Sequence, residues 1–267
     1  MLSYQHGYHA GNRADVLKHA VLHALLTEIA STHENVLYVE THSGRGRYDL
    51  KGPQATKKRE AEDGILSMVK RRGPRPLHAW TDFVEQQGIR KYPGSPVHAQ
   101  LLLPDTTRFV LFEKHPAEYD ALRAAIGNDD RFQIRKADGY AGALKLSPRR
   151  GEHLVCLIDP SYETDRDIED LAEWVPRALK RWPRATLIIW LPLFLDGREE
   201  ELVEYLINLT DGLIVGARWP VDPLKETALE GSAMITYGAP ESAYDRCSGI
   251  AAALQSWWSD KPLTVSG

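Results

Sequence analysis

Apolar and polar residues follow one another in blocks along this chain, and the period inside each block predicts its element. In NRADVLKHAVLHALLTEIA, Val16, Leu17, Ala20, Val21, Ala24 and Leu25 recur at intervals of three and four, which predicts a helix with one apolar stripe. Asn12 followed by Asp15 supplies an N-cap and an acid in the first turn. The apolar run Val36–Val39 predicts a short buried strand, running into the Gly-containing turn of VLYVETHSGRGRY. From Asp49 to about Pro96 the chain is polar, basic and broken by Gly and Pro, with weak helical patterns at Glu62–Lys70 and His78–Gln87.

Beyond that segment, strand and helix alternate. RFVLFEKHP, FQIRKADGY, HLVCLIDPSYE and ATLIIWLPL read as strands, the first ending in Glu113 and the second near Asp138. PAEYDALRAAIG, DIEDLAEWVPRALKRW and REEELVEYLINL read as helices. GLIVGARWPV and GSAMITYGAP then follow with no long helix between them, which predicts an antiparallel hairpin at one sheet edge. Repeated β–α–β units imply a mainly parallel sheet covered on both faces. The expected fold is thus α/β, with residues 1–48 and 97–267 in one domain. Residues 49–96 form a helical insertion with few large apolar residues for a core of its own.

Composition adds little: 43% of the 267 residues are hydrophobic and 26% charged, ordinary for a soluble globular protein. No stretch approaches the ~18 apolar residues of a membrane span. The polar N-terminus lacks the apolar core of a signal peptide. Cys156 and Cys247 stand far apart and make neither a disulfide framework nor a cysteine zinc site. A cytoplasmic protein is expected. His6 with His9, or His19 with His23, lack a Cys or acid at ligand spacing, so no metal is expected. The aromatics and bases of this stretch suit a nucleic-acid contact or a lid better.

Charge distribution says more than the net charge of −4. Arg45, Arg47, Lys51, Lys57, Lys58, Arg59, Lys70, Arg71, Arg72 and Arg75 face only Asp49, Glu60, Glu62 and Asp63 within one span. Such a local excess is a candidate phosphate-facing patch, or a solvated helix face.

Ligands of open parallel sheets bind outside the carboxyl ends of the strands. Those ends carry Glu40 to Gly46, then Glu113, then Asp138 with Gly139, then Asp159, Pro160, Ser161 and Tyr162. Each acid alone reads as the next helix's N-cap. Four in succession point to one crevice. The turn is not a P-loop, since no Gly-Lys-Ser/Thr follows, and Asp49 stands where a dinucleotide fingerprint has its third glycine. A carboxylate at Glu113 can accept from both hydroxyls of a ribose, and one at Asp138 from an adenine amino group. That layout serves S-adenosyl-L-methionine in class I methyltransferases, whose sheets also end in an antiparallel hairpin.

Asp-Pro-x-Tyr has a chance expectation of only about 0.02 in a chain this long. An adenine amine is a poor nucleophile because its lone pair is delocalised into the ring. Asp159 and the Pro160 carbonyl could each accept one of its N–H bonds and free that lone pair for attack on a sulfonium methyl. Tyr162 could stack on a flipped or single-stranded base, or simply pack on the core.

The chain resembles the RlmJ family, methyltransferases that modify N6 of one adenine in 23S ribosomal RNA. The likeness is carried by MLSYQHGYHAGNRADVLKHAVL, YVETHSGRGRY, YPGSPVHAQLLL, FEKHP, KADGY and LIDPSYE. It implies a class I, Rossmann-like sheet and S-adenosyl-L-methionine as cofactor, with S-adenosyl-L-homocysteine as product. It implies cofactor contacts at His19 and His42, with Lys18 close by, and at Ser95. By the same likeness Glu113 holds the ribose, Asp138 and Gly139 the adenine, and Asp159 accepts from the reacting amine. Tyr4 lies near the substrate base. The implied target is adenine 2030 of protein-free or early-assembly 23S rRNA, methylated by a monomer with no membrane contact. The family's motif is Asp-Pro-Pro-Tyr, and here Ser161 replaces the second proline. Pro160 still biases Asp159 toward extended backbone, but its own restraint is lost. The same amine chemistry also serves a DNA adenine or a protein glutamine, and a non-catalytic RNA-binding relative would keep the fold.

Overall fold

The structure is a computed structural model that describes residues 5–222, 224 and 228–259. Seven strands form one sheet: β1 (Val36–Glu40), β2 (Arg108–Phe112), β3 (Phe132–Arg135), β4 (His153–Ile158), β5 (Thr186–Phe194), β6 (Gly212–Arg218) and β7 (Leu229–Tyr237). Their order is β3-β2-β1-β4-β5-β7-β6. The first five are parallel, and β7 lies antiparallel between β5 and β6. The expected parallel sheet with an antiparallel edge is therefore present. The order reverses between β1 and β4, which opens a crevice above their carboxyl ends.

The described residues also form ten α-helices: α1 (Arg13–Thr32), α2 (Pro53–Lys58), α3 (Ile65–Lys70), α4 (His78–Gln87), α5 (Ser95–Leu102), α6 (Pro116–Ile126), α7 (Gly139–Ala143), α8 (Asp165–Arg181), α9 (Glu200–Ile207) and α10 (Tyr244–Ser259). Strand alternation sorts the core into two layers. Leu37, Val39, Cys156 and Ile158 face α8, through Leu171, Trp174, Val175 and Ala178. Val36, Tyr38, Val155 and Leu157 face the other way, into the cluster that holds α1 and α10. Among the described residues no helix is long and apolar enough to cross a membrane.

The α1 helix departs from the single stripe its sequence predicts. Its residues 14–22 are all buried, as are Ala24, Leu25, Leu26 and Ile29. The reason is its position: it lies between β7 on one side and α4, α5 and α10 on the others. A helix enclosed in this way hides Lys18 and His19 as well as its apolar residues. The Asn12 cap is as expected, its side chain accepting from Asp15 N at 2.9 Å. In the 49–96 segment, Ala61, Ile65, Met68, Leu77, Trp80 and Val84 pack into the α1 cluster. Arg47–Tyr48 pairs with Tyr92–Pro93 in a two-residue antiparallel ladder that joins the two ends of this segment.

Candidate active site

The crevice is a cavity of about 450 Å³. Lys18, His19, His42, Ser95, Glu113, Asp138, Gly139, Asp159, Pro160 and Tyr162 all line it. Tyr4 lies outside the described residues.

Backbone geometry after β1 forms one wall. Gly44 and Gly46 have φ of +60° and +76°, a region that disfavours side chains. The turn they shape directs the Gly44 N–H onto Glu113 Oε2 at 2.8 Å. Glu113 Oε1 accepts from His115 N–H at 2.7 Å. Each oxygen keeps a lone pair for a ligand. Burial pushes the Glu113 carboxyl up, and these two N–H donors pull against that. Asp138 caps α7 by accepting from Ala141 N–H at 3.0 Å, and Lys114 stands 3.6 Å from its other oxygen. A Cβ on Gly139 would fall 1.9 Å from the Thr41 carbonyl oxygen, so only glycine lets these two strand ends meet.

Two histidines of the wall, His42 and His19, are disfavoured as cations by burial. Burial holds His42 below its ordinary value and His19 well below it. His42 meets the edge of the Tyr140 ring at 5.0 Å, and His19 Nδ1 lies 2.8 Å from the Tyr92 hydroxyl. Ser95 starts α5 and is buried at the cavity edge.

On the far side of β1, Asp159 Oδ2 accepts from Lys18 Nζ at 2.8 Å. The same ammonium lies 3.0 Å from Asp15 Oδ1, and His6 Nε2 is 2.9 Å from Asp15 Oδ2. Gly11 N–H also donates to Asp15 Oδ2. Burial alone would raise the Asp15 carboxyl; His6, Lys18 and His19 outweigh it and hold the group well below the usual carboxylate range. The Tyr162 backbone is left-handed at φ +50°. Its hydroxyl, kept protonated by burial, donates to the Trp190 carbonyl at 2.6 Å. Tyr162 thus both packs on the core through that anchor and lines the cavity.

Two sequence expectations need correction. Glu40 does not face the crevice: it is fully buried beneath it, takes a hydrogen bond from Tyr38 Oη at 2.6 Å, and is raised to about 8 by burial. Arg45 is not available to phosphates, because Nε donates to Glu118 Oε2 at 2.9 Å and a second bond completes a bidentate pair. His6, Asp15 and Trp190 line the cavity without having been singled out as its residues. Asp15 was legible only as a first-turn acid and Trp190 only as strand core, since nothing in a linear pattern shows that α1 packs on β7 and brings Lys18 to Asp159 and Trp190.

The family model described as Ribosomal RNA large subunit methyltransferase D, RlmJ, matches residues 33–261. Ribosomal RNA large subunit methyltransferase J of Escherichia coli K12 is 35% identical over 214 residues, 77% of this chain and 75% of that protein. Its Haemophilus influenzae counterpart is 32% identical over 212 residues, with the same shares covered. The crystal structure of protein LPL1258 from Legionella pneumophila superposes with a TM-score of 0.83, at 25% identity over 94% of each chain.

Proposed function

This chain belongs to the RlmJ family of ribosomal RNA large subunit methyltransferases, and from that premise we propose that it methylates the N6 amine of one 23S rRNA adenine, nucleotide 2030, using S-adenosyl-L-methionine. The observation that carries the reading is the meeting of Glu113, Asp138 and Asp159-Pro160 around one cavity. Its size lies within the ~300–1,000 Å³ of small-ligand sites. The Tyr140 hydroxyl, buried in the cavity wall with no partner among the described residues, is the kind of group a bound ligand satisfies.

Glu113 would hold the ribose diol with its remaining lone pairs, and Asp138 with Gly139 the adenine. His19, His42 and Ser95 would line the rest of the cofactor, with Lys18 beside them. Bound there, S-adenosyl-L-methionine supplies an electrophilic methyl group on a sulfonium and leaves as S-adenosyl-L-homocysteine. Asp159 and the Pro160 carbonyl accept the two N–H bonds of the target amine, and Asp159 takes the proton released as the new N–C bond forms. Tyr162, fixed by its hydroxyl, offers a ring for the target base to stack on. Tyr4 would approach the same base.

Residues 49–96 serve in this reading as an insertion on the rRNA side. Lys57, Lys58, Arg59, Lys70, Arg71, Arg72 and Arg75 are exposed there, and Lys57 lies over the Tyr8 ring at the approach to the cavity. Contacts with phosphates make binding salt-dependent, which a glutamine-containing peptide would not share. The test is methyl transfer from labelled cofactor to protein-free 23S rRNA lacking the modification, followed by mapping. Label confined to that adenine is the expected result. Label on DNA or on a protein glutamine instead, with none on rRNA, would overturn the target.

A further inference from the structure

Ser95 reaches the cavity from the first turn of α5, and what fixes that turn lies outside the cavity wall. Gly94, its N-cap, is gripped on both sides. Its N–H donates to the Gly46 carbonyl at 2.8 Å, tying it to the turn after β1. Its carbonyl accepts from the His98 side chain, Nδ1 at 3.0 Å. A Cβ at Gly94 would meet Gly46 O and the Tyr48 ring at 3.1 Å, so this close approach is built for glycine.

The tautomer of His98 follows from its other neighbour. Trp80 Nε1, on α4, lies 3.1 Å from His98 Nε2. An indole nitrogen can only donate, so Nε2 must carry the lone pair and Nδ1 the proton. Only the neutral Nδ1–H form satisfies both Trp80 and Gly94. His98 is fully buried, and burial lowers it to about 3, so it keeps that form.

We propose that His98 is a positioning residue: the Trp80–His98–Gly94 chain of hydrogen bonds sets the Gly94–Ser95 turn against the Gly44–Gly46 turn, and so ties the cofactor side of the cavity to the basic helical segment. Its effect on cofactor affinity rests on the methyltransferase reading. Two isosteric substitutions separate the bonds. Asn places an amide nitrogen as many bonds from Cα as Nδ1, and Gln places its amide at the position of Nε2. His98→Asn therefore keeps the Gly94 bond and loses Trp80; His98→Gln does the reverse. Each loses one hydrogen bond, so a merely structural role predicts equal effects.

Calorimetry with S-adenosyl-L-methionine on the full chain should show His98→Asn within about twofold of wild type and His98→Gln about tenfold weaker. Hydrogen exchange at the Gly94 amide should be about tenfold faster in His98→Gln than in His98→Asn. Equal affinities and equal exchange in the two variants would overturn the role. A wild-type chain that binds no cofactor would sink the functional reading instead, and the exchange measurement would still decide on His98.

Discussion

Glu113 and Asp159 stand on either side of β1, around one cavity, and are held by different means. Glu113 is fixed by backbone: its oxygens take the N–H groups of Gly44, in the turn after β1, and of His115, at the start of α6. Asp159 is held by the ammonium of Lys18, which it shares with Asp15. A side chain can turn aside where a peptide cannot. Under the proposed function the cofactor side is thus prebuilt, while the reacting side can exchange Lys18 for an incoming amine. Glu40 lies beneath both and has neither kind of support. Burial raises it to about 8 against the pull of the Tyr38 hydroxyl that donates to it, so it keeps its proton at neutral pH and adds no further negative charge to the site.

The largest expected effect comes from removing the exchangeable acceptor. Asp159→Ala should lower the methyl-transfer rate by about a thousandfold, while calorimetry finds cofactor affinity nearly unchanged. Full activity would remove Asp159 from the reaction. Next is the clamp itself. Lys18→Met leaves Asp15 buried beside a second carboxylate and should cost about 3 kcal/mol of unfolding free energy in urea. Adding Asp15→Asn should recover much of that loss, and strict additivity of the two changes would refute the shared ion pair. On the backbone-held side, Glu113→Gln sets an amide donor against an N–H and should weaken cofactor binding about tenfold with little change in turnover rate. An equal loss in turnover would erase the proposed division of the cavity.

The smallest effect is a slope. Glu40 binds its proton more tightly folded than unfolded, its folded value being about 8 against an ordinary 4.5. The folded state then holds more protons than the unfolded chain across that interval, so stability falls as pH rises from about 4.5 to about 8 and levels off above. Glu40→Gln should flatten that part of the thermal-midpoint profile. An unchanged profile would mean that Glu40 is not the group responsible.

The contrast also explains what could be read from the linear chain. Residues that act through their own strand end, such as Glu113, Asp138 and Asp159, are legible because β–α alternation puts a strand's carboxyl end on one side of the sheet by rule. Residues that act across elements are not. Asp15 has a correct local reading as an acid in a capped first turn, yet its side chain serves His6 and Lys18. Arg45 counted toward a basic patch because its partner, Glu118, is far away in sequence. The α1 stripe underestimates burial because the second, third and fourth faces of that helix are covered by α4, α5 and α10, all distant in the chain. Ser161, the one departure from the family's motif, leaves Pro160 buried and Asp159 bound to Lys18.

Enclosure of α1 has a consequence for the order of manufacture. This helix is synthesised ahead of every strand of the sheet, but two of the surfaces that cover it, β7 and α10, come last. The Ala14 carbonyl accepts from Ser232 on β7, and Ile250, Ala251 and Leu254 of α10 join its core cluster. The burial that surrounds Lys18 beside Asp159 is therefore completed only when the last-made elements have docked. Until then this apolar helix lacks two of its coverings, and a half-made copy cannot complete the packing that surrounds the clamp.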